Sequence, residues 1–271
     1  MRYAELLPCA ELAPYIRCFW LLEGSAPSPL AERILPDGCV EFIINVGDPF
    51  EQLNERGHAE RQPRVFVVGP TTRALVVRPS THVGVLGIRF LPGGARPFLL
   101  APAGELADGI FELALLSPLA TQIAERVQDV HDPSLRVPAV EEALIAVLRR
   151  AHPLPDGVST AVRMILSTHG RVPVDHLASA QGISHRQLGR RFHETVGVPP
   201  KLLCRLVRFQ SVFTVIRDEQ PRRLTDLAMR CGYFDQAHFV KEFREFAGVP
   251  PSAYLSDSHD LSDHFTGTGA E

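Results

Sequence analysis

Two segments place polar and basic side chains along one helical face and apolar rings along the other. In the first, Ser184, His185, Arg186, Gly189 and Arg190 lie away from Leu188 and Phe192. In the second, Gln236, Ala237, His238, Lys241 and Arg244 lie away from Phe239 and Phe243. An i,i+4 apolar pair faces a core and leaves the opposite side to solvent or a partner. Arginine and lysine there suit guanine O6 and N7 or phosphate oxygens, and glutamine suits adenine N6 and N7. A helix ~10–12 Å across fits a DNA major groove, and small residues such as Gly189 and Ala237 let its backbone approach the bases.

The elements that must position these faces are legible around them. Ser184 with Gln187 three residues on matches a capping box, and Asp235 is a good N-cap for the second helix. Gly182 and Gly232 stand where a shorter preceding helix must turn, as in a helix-turn-helix. The two units form an internal repeat, Leu177–Pro200 and Leu227–Pro251, offset by 50 residues at Gly182/Gly232 and by 51 at Phe192/Phe243, so the second turn holds one extra residue. Between them, Lys201–Arg217 reads as one helix with Leu203, Val207, Phe209, Val212, Phe213 and Ile216 along a stripe. A rigid helix there can hold two readers at the ~34 Å spacing of successive major grooves. A bundle with incidentally basic faces is the competing reading, and the in-register duplication of cap, glycine and aromatic pair speaks against it.

The charge distribution agrees. Residues 1–156 carry 14 Lys/Arg against 19 Asp/Glu, residues 157–255 carry 14 against 8, and the remaining tail carries none against 4, for a net charge of −3 over 271 residues. A basic block on an acidic chain suits a polyanionic partner. Apolar residues at 45% fit a globular chain rather than a disordered one, and no apolar run is long enough for a membrane helix. The opening residues lack a basic segment followed by an apolar core, so no secretion signal is expected. Five cysteines without a CxxC pair fit a reducing, cytoplasmic compartment.

Residues 1–90 read as strands. Val40–Val46 alternates with a period of two, suiting a sheet with one better-buried face, and Asp37-Gly38 before it is a turn signal. Further runs are Tyr15–Leu22, Val65–Val68, Leu75–Val77 and Val83–Phe90, while the polar stretch 47–64 reads as a long loop. Leu119–Val130 and Ala139–Arg150 have helical spacing, and their Leu and Val stripes make them candidates for a dimer contact. The expected fold is α+β with two domains. Residues 1–152 form an antiparallel β sheet or barrel ending in helices, as an effector or dimerisation domain. Residues 153–157 form a proline-rich linker, 158–255 an all-α tandem helix-turn-helix domain, and 256–271 an acidic flexible tail.

Weaker signals are weighed against plainer readings. Eleven histidines include no HExxH or paired spacing, so no metal is expected, and His193-Glu194 reads as a solvated helix face. Cys9, Cys18 and Cys39 lack a zinc-like spacing and read as structural thiols, with a thiol sensor or alkyl acceptor as the alternative. Leu91-Pro92-Gly93-Gly94 lacks the lysine of a phosphate-binding loop and reads as a turn. Trp20, Glu41 and Arg89 lie on strands where they can line a pocket. No catalytic residues and no cofactor are expected.

Residues 158–255 resemble the DNA-binding domain of the AraC/XylS family of bacterial transcription regulators, most specifically through GYFDQAHFVKEFREFAGVPPSAYL. The resemblance implies a sequence-specific regulator that binds double-stranded DNA, with base contacts falling on Arg186, Arg190, Ala237 and Lys241. Alanine at Ala237 departs from the pattern, because it cannot hydrogen-bond a base edge and shifts specificity to neighbours such as His238. RNA polymerase, a small-molecule effector and a second copy of the chain are the further partners implied; the effector, the operator and the sign of the output stay open. The N-terminal half resembles a sensor-type domain of such regulators through ILPDGCVEFIINVGDPF and GIRFLPGGARPFL. The alternative function is a DNA-targeted enzyme with chemistry at an N-terminal cysteine.

Overall fold

Alternating β-branched and aromatic residues build the N-terminal part from short antiparallel strands. A computed structural model describes residues 1–26, 30–54, 56–128, 130, 133–150, 156–219, 221 and 223–256. The strands are β1 (Arg2–Leu6), β2 (Ile16–Ser25), β3 (Glu32–Ile34), β4 (Glu41–Asn45), β5 (Glu51–Leu53), β6 (Ala59–Arg61), β7 (Val65–Val68), β8 (Leu75–Arg78), β9 (His82–Phe90) and β10 (Ile110–Glu112). A six-stranded sheet has the order β1-β2-β9-β4-β7-β10 and a four-stranded one β3-β8-β5-β6. Register runs Phe42↔Ile88 between β4 and β9 and Ile34↔Leu75 between β3 and β8. Asp37 takes the turn before β4, its side chain accepting from Cys39 N at 2.8 Å while Gly38 adopts φ 74°.

Two expectations need correction. β4 is buried on both faces. Phe42 and Ile44 join Phe19, Ile88 and Phe90 in the main core, while Ile43 joins Trp20, Phe50, Phe66 and Val77 beneath the second sheet. That second sheet covers the face a lone sheet would leave wet. The stretch 47–64 is not a plain loop but carries the β5–β6 hairpin. Asn54 closes it, its side-chain oxygen accepting from Arg56 N and His58 N at 2.9 and 3.0 Å. β6 is exposed throughout, so no apolar alternation marks it.

Helices α1 (Leu113–Leu116), α2 (Ala120–Gln128) and α3 (Pro133–Leu148) follow. Helix α3 starts six residues ahead of the expected Ala139 and holds Pro138 inside, where proline reads as a helix start. The apolar stripes of α2 and α3, including Ile123, Val127, Val140 and Leu144, are spent on the main core with the six-stranded sheet. The expected linker lies mostly outside the described residues. Helix α4 (Asp156–Ser167) starts within it, and the tail beyond Ser256 is also outside.

The rest is helical: α5 (Val174–Ser179), α6 (His185–Thr195), α7 (Pro200–Glu219), α8 (Leu224–Arg230), α9 (Gln236–Ala247) and α10 (Pro251–Ser256). Helix α7 serves two cores. Its Leu203 and Cys204 pack with α4–α6, and its Leu206, Phe209, Val212 and Phe213 pack with α8–α10. At ~1.5 Å per residue, its 20 residues reach about 30 Å.

Candidate nucleic-acid interface

Each candidate recognition helix has a start fixed by local chemistry. Ser184 caps α6, its hydroxyl accepting from Gln187 N at 3.3 Å while Gln187 Oε1 accepts from Ser184 N at 2.9 Å, which completes the capping box. Asp235 caps α9, its side chain accepting from His238 N at 2.7 Å. The turns before them need left-handed backbone at Gly182 (φ 60°) and Gly232 (φ 78°), conformations that cost an L-residue roughly 1–2 kcal/mol. The extra residue of the second turn is Phe234, which is 91% exposed.

Behind each of these helices the apolar pair is fully buried: Leu188 and Phe192 under α6, Phe239 and Phe243 under α9. On the outer side Ser184, His185, Arg186, Arg190, Gln236, Ala237, His238, Lys241 and Arg244 are all exposed. Their contacts are with close neighbours. His185 Nε2 lies 2.9 Å from Asp175 Oδ1, and Arg190 Nε lies 3.9 Å from Glu194 Oε1. Gln236 Oε1 accepts from Thr225 Oγ1 at 2.8 Å, and His238 Nε2 lies 3.7 Å from Glu242 Oε2. A Cβ at Gly189 would meet nothing within 4 Å, so the middle of α6 is open to close approach. On α9, Gln236, Ala237, Val240, Lys241 and Arg244 line a shallow concavity. These residues form two hydrogen-bonding, positively charged ridges, each held by an aromatic core behind it.

Sequence reasoning missed what holds α9 to α7. Glu242 is buried, and its Oε2 accepts from Arg205 Nε at 2.7 Å, while Arg205 Nη2 donates to Glu245 Oε2 at 2.6 Å. Arg208 Nε lies 3.6 Å from Glu242 Oε1. The signal was the i,i+3 spacing of Arg205/Arg208 facing that of Glu242/Glu245, which is readable only once α7 and α9 are known to be neighbours. His193 and Glu194 are exposed, in keeping with a solvated helix face, but the His193 ring also touches the N-terminal part. The ring lies over Gly104, where a Cβ would come within 2.2 Å of Cε1.

The other singled-out residues gather in the sheets. Arg89 is buried, its Nε donates to Glu41 Oε1 at 2.5 Å, and Asp37 Oδ2 lies 3.7 Å away. Trp20 and Glu41 line a cavity between the sheets, and Arg89 stands behind Glu41 rather than in the lining. Burial pushes the Cys18 thiol up to about 12 and the Cys39 thiol well above its ordinary value. The thiolate that alkyl acceptance needs is thus disfavoured at both. Cys9 is half-buried. Among the described residues, no group of three or more His, Cys, Asp or Glu could hold a metal ion, and no helix is long and apolar enough to cross a membrane.

Paired helix-turn-helix units on a shared helix, attached to a two-sheet antiparallel domain, define the class of protein. Residues 177–257 match a family model described as a helix-turn-helix domain, and residues 4–112 match one described as a domain of unknown function (DUF6597). The HTH-type transcriptional regulator MtrA of Neisseria gonorrhoeae is 27% identical over 84 residues, covering 31% of this chain and 28% of that protein. The HTH-type transcriptional activator RhaR of Yersinia pseudotuberculosis is 24% identical over 175 residues, covering 58% of this chain and 59% of that protein. The chain thus spans less than two thirds of the length of these curated relatives. ToxT from Vibrio cholerae shares the fold, with a TM-score of 0.50 at 10% identity over 88% of this chain and 98% of that one. The C-terminal region is an AraC-type helix-turn-helix domain, and the N-terminal region carries the DUF6597 domain.

Proposed function

We propose that this protein is a sequence-specific DNA-binding transcription regulator whose helices α6 and α9 enter successive major grooves of one duplex. The observation that carries this reading is the division of each helix: a fully buried apolar pair behind, and exposed Arg, Lys, Gln and His in front. On α6, Arg186 and Arg190 are the base readers. On α9, Gln236, His238 and Lys241 surround Ala237, and Arg244 extends the ridge toward phosphate. The ~30 Å reach of α7 is close to the ~34 Å repeat of B-DNA. The sheet domain is the regulatory unit, and a small molecule bound there sets the activity of the readers. RNA polymerase and a second copy of the chain are further partners in this reading, which places the protein in the cytoplasm and assigns it no reaction. Residues 158–255 act as the DNA-binding domain and 1–152 as the effector domain.

Selection of randomised duplexes on the full chain tests it, followed by fluorescence anisotropy with the enriched duplex over a range of salt. The reading expects a defined sequence to emerge and log K to fall linearly with log salt as counterions are released. A folded chain that enriches no sequence refutes it.

A further inference from the structure

Between the two sheets lies a cavity of about 80 Å³. Trp20, Ile43, Phe50, Phe66, Val77 and Val85 make most of its wall, and Glu41, Asn45 and Gln62 supply polar atoms. At ~10–15 Å³ for each water-sized occupant, it has room for about five to eight non-hydrogen atoms. Asn45 is 3% exposed. Its Nδ2 donates to Pro63 O at 3.1 Å, which fixes the amide orientation, and its Oδ1 finds no donor among the described residues. A buried acceptor left in this state is destabilising, and a bound donor relieves it. Across the wall, Glu41 accepts from Arg89 Nε and from the Trp20 indole. Burial holds the Glu41 carboxyl above its ordinary value against the pull of Arg89. Asn45 Oδ1 and the Glu41 carboxyl therefore present acceptors to the cavity, backed by apolar walls.

This inference rests on the reading of the sheet domain as a regulatory unit. We propose that the cavity takes a small apolar molecule carrying a hydrogen-bond donor, an alcohol or an amine, seated with that donor on Asn45 Oδ1. A carboxylate of the same size is rejected, because it would bring acceptors to an acceptor and a second acid beside Glu41.

Occupancy has a short route to the second reader. Ile34 and Leu75 line the cavity and are cross-strand partners on β3 and β8. Their chain neighbours hold the helices. Leu35 packs in one core with Leu206, Gln210 Nε2 donates to Pro36 O at 2.8 Å, and Ala74 N donates to Phe246 O at 2.8 Å near the end of α9. The wall that a ligand presses is thus the wall on which α7 and α9 rest.

Trp20 is the single tryptophan of the chain and stands in the cavity wall, so its emission reports occupancy. The full chain is titrated with cyclohexanol, cyclohexylamine, methylcyclohexane and cyclopentanecarboxylate, which are close in size. The first two should give saturable changes, methylcyclohexane should bind at least about tenfold more weakly, and the carboxylate should give none. Asn45→Leu should erase the preference for a donor. Val77→Phe, which fills the space, should abolish the response, and circular dichroism melts establish that each variant is folded. Equal binding of methylcyclohexane and cyclohexanol, saturable binding of the carboxylate, or an unchanged response in folded Val77→Phe would overturn the proposal. So would the absence of any saturable response in the parent. Saturating cyclohexanol should also change affinity for the enriched duplex several-fold, and an unchanged affinity would overturn the β3–β8 route. Duplex binding on the same samples separates the two readings. A chain that binds its duplex and none of the probes loses only the cavity, whereas one that binds the probes and no duplex loses the regulator.

Discussion

Truncating Phe243 to alanine should unfold the second helix-turn-helix unit at far lower denaturant, while Lys241→Ala two residues away should leave it unchanged. Phe243 is fully buried, and its ring centroid lies 5.3 Å from that of Phe209, 5.8 Å from Phe239, 6.1 Å from Phe213 and 5.7 Å from Tyr254. Four rings around one vacated site cannot collapse into it easily, so the cost belongs in the upper part of the ~3–5 kcal/mol range for Phe→Ala. With an m-value of ~1–3 kcal/mol/M, the urea midpoint should fall by more than about 1 M. Lys241 is exposed on the opposite side, and a surface change of this kind stays within about ±0.5 kcal/mol. Far-UV circular dichroism in urea reads the helical region, whereas Trp20 emission follows the sheets. A Phe243→Ala variant as stable as the parent, or a Lys241→Ala variant that unfolds early, would reverse the orientation of α9 and remove its reader face.

Three further outcomes follow from the same geometry. Arg190→Ala should cost ~1–3 kcal/mol of binding at one base position and leave the urea midpoint unchanged, and a loss equal across all sequences would make Arg190 a phosphate contact instead. Glu242→Ala leaves Arg205 and Arg208 without their buried carboxylate and should cost ~3–5 kcal/mol of stability by urea denaturation, so a cost under about 1 kcal/mol would show the cluster to be unimportant. Burial pushes the thiols of Cys18 to about 12 and of Cys204 and Cys231 to about 11, so they stay protonated in the native state while unfolded thiols ionise near ~8.5. That contribution to stability is fully present below the unfolded value and is lost as pH rises toward the folded one. Urea midpoints should therefore fall between about pH 8 and pH 10, and a rising midpoint would contradict the burial argument.

The two helix-turn-helix units were legible in the sequence because everything that shapes them is local. Ser184 and Gln187 are three residues apart, Asp235 stands one residue before its helix, and Phe192 and Phe243 repeat a position. Duplication supplied an internal control that a single motif lacks. The N-terminal strands were legible where they alternate, at β4, or form dense β-branched and aromatic runs, at β2, β7, β8 and β9. They were not where both faces are wet, as in β6, or where a second sheet covers what a lone one would expose, as at Ile43. Non-local pairings stayed hidden. Arg205 meets Glu242 across 37 residues, Gln210 meets Pro36 across 174, and His193 lies on Gly104 in another part of the chain. The orphaned Asn45 Oδ1 was equally invisible, since an asparagine in an alternating strand reads as an exposed position.

If α6 and α9 read one duplex at a fixed spacing, binding must depend on the helical phase between the two contacted segments. Anisotropy titrations would compare the enriched duplex with a version carrying an insertion of about five base pairs between its two contacted segments, half of the ~10–10.5 bp turn. The insertion rotates one segment to the far side of the duplex, so affinity should fall at least about tenfold, and restoring a full turn should not recover it, because α7 holds the readers at one separation. Unchanged affinity across the insertion would show that α6 and α9 do not read one duplex together.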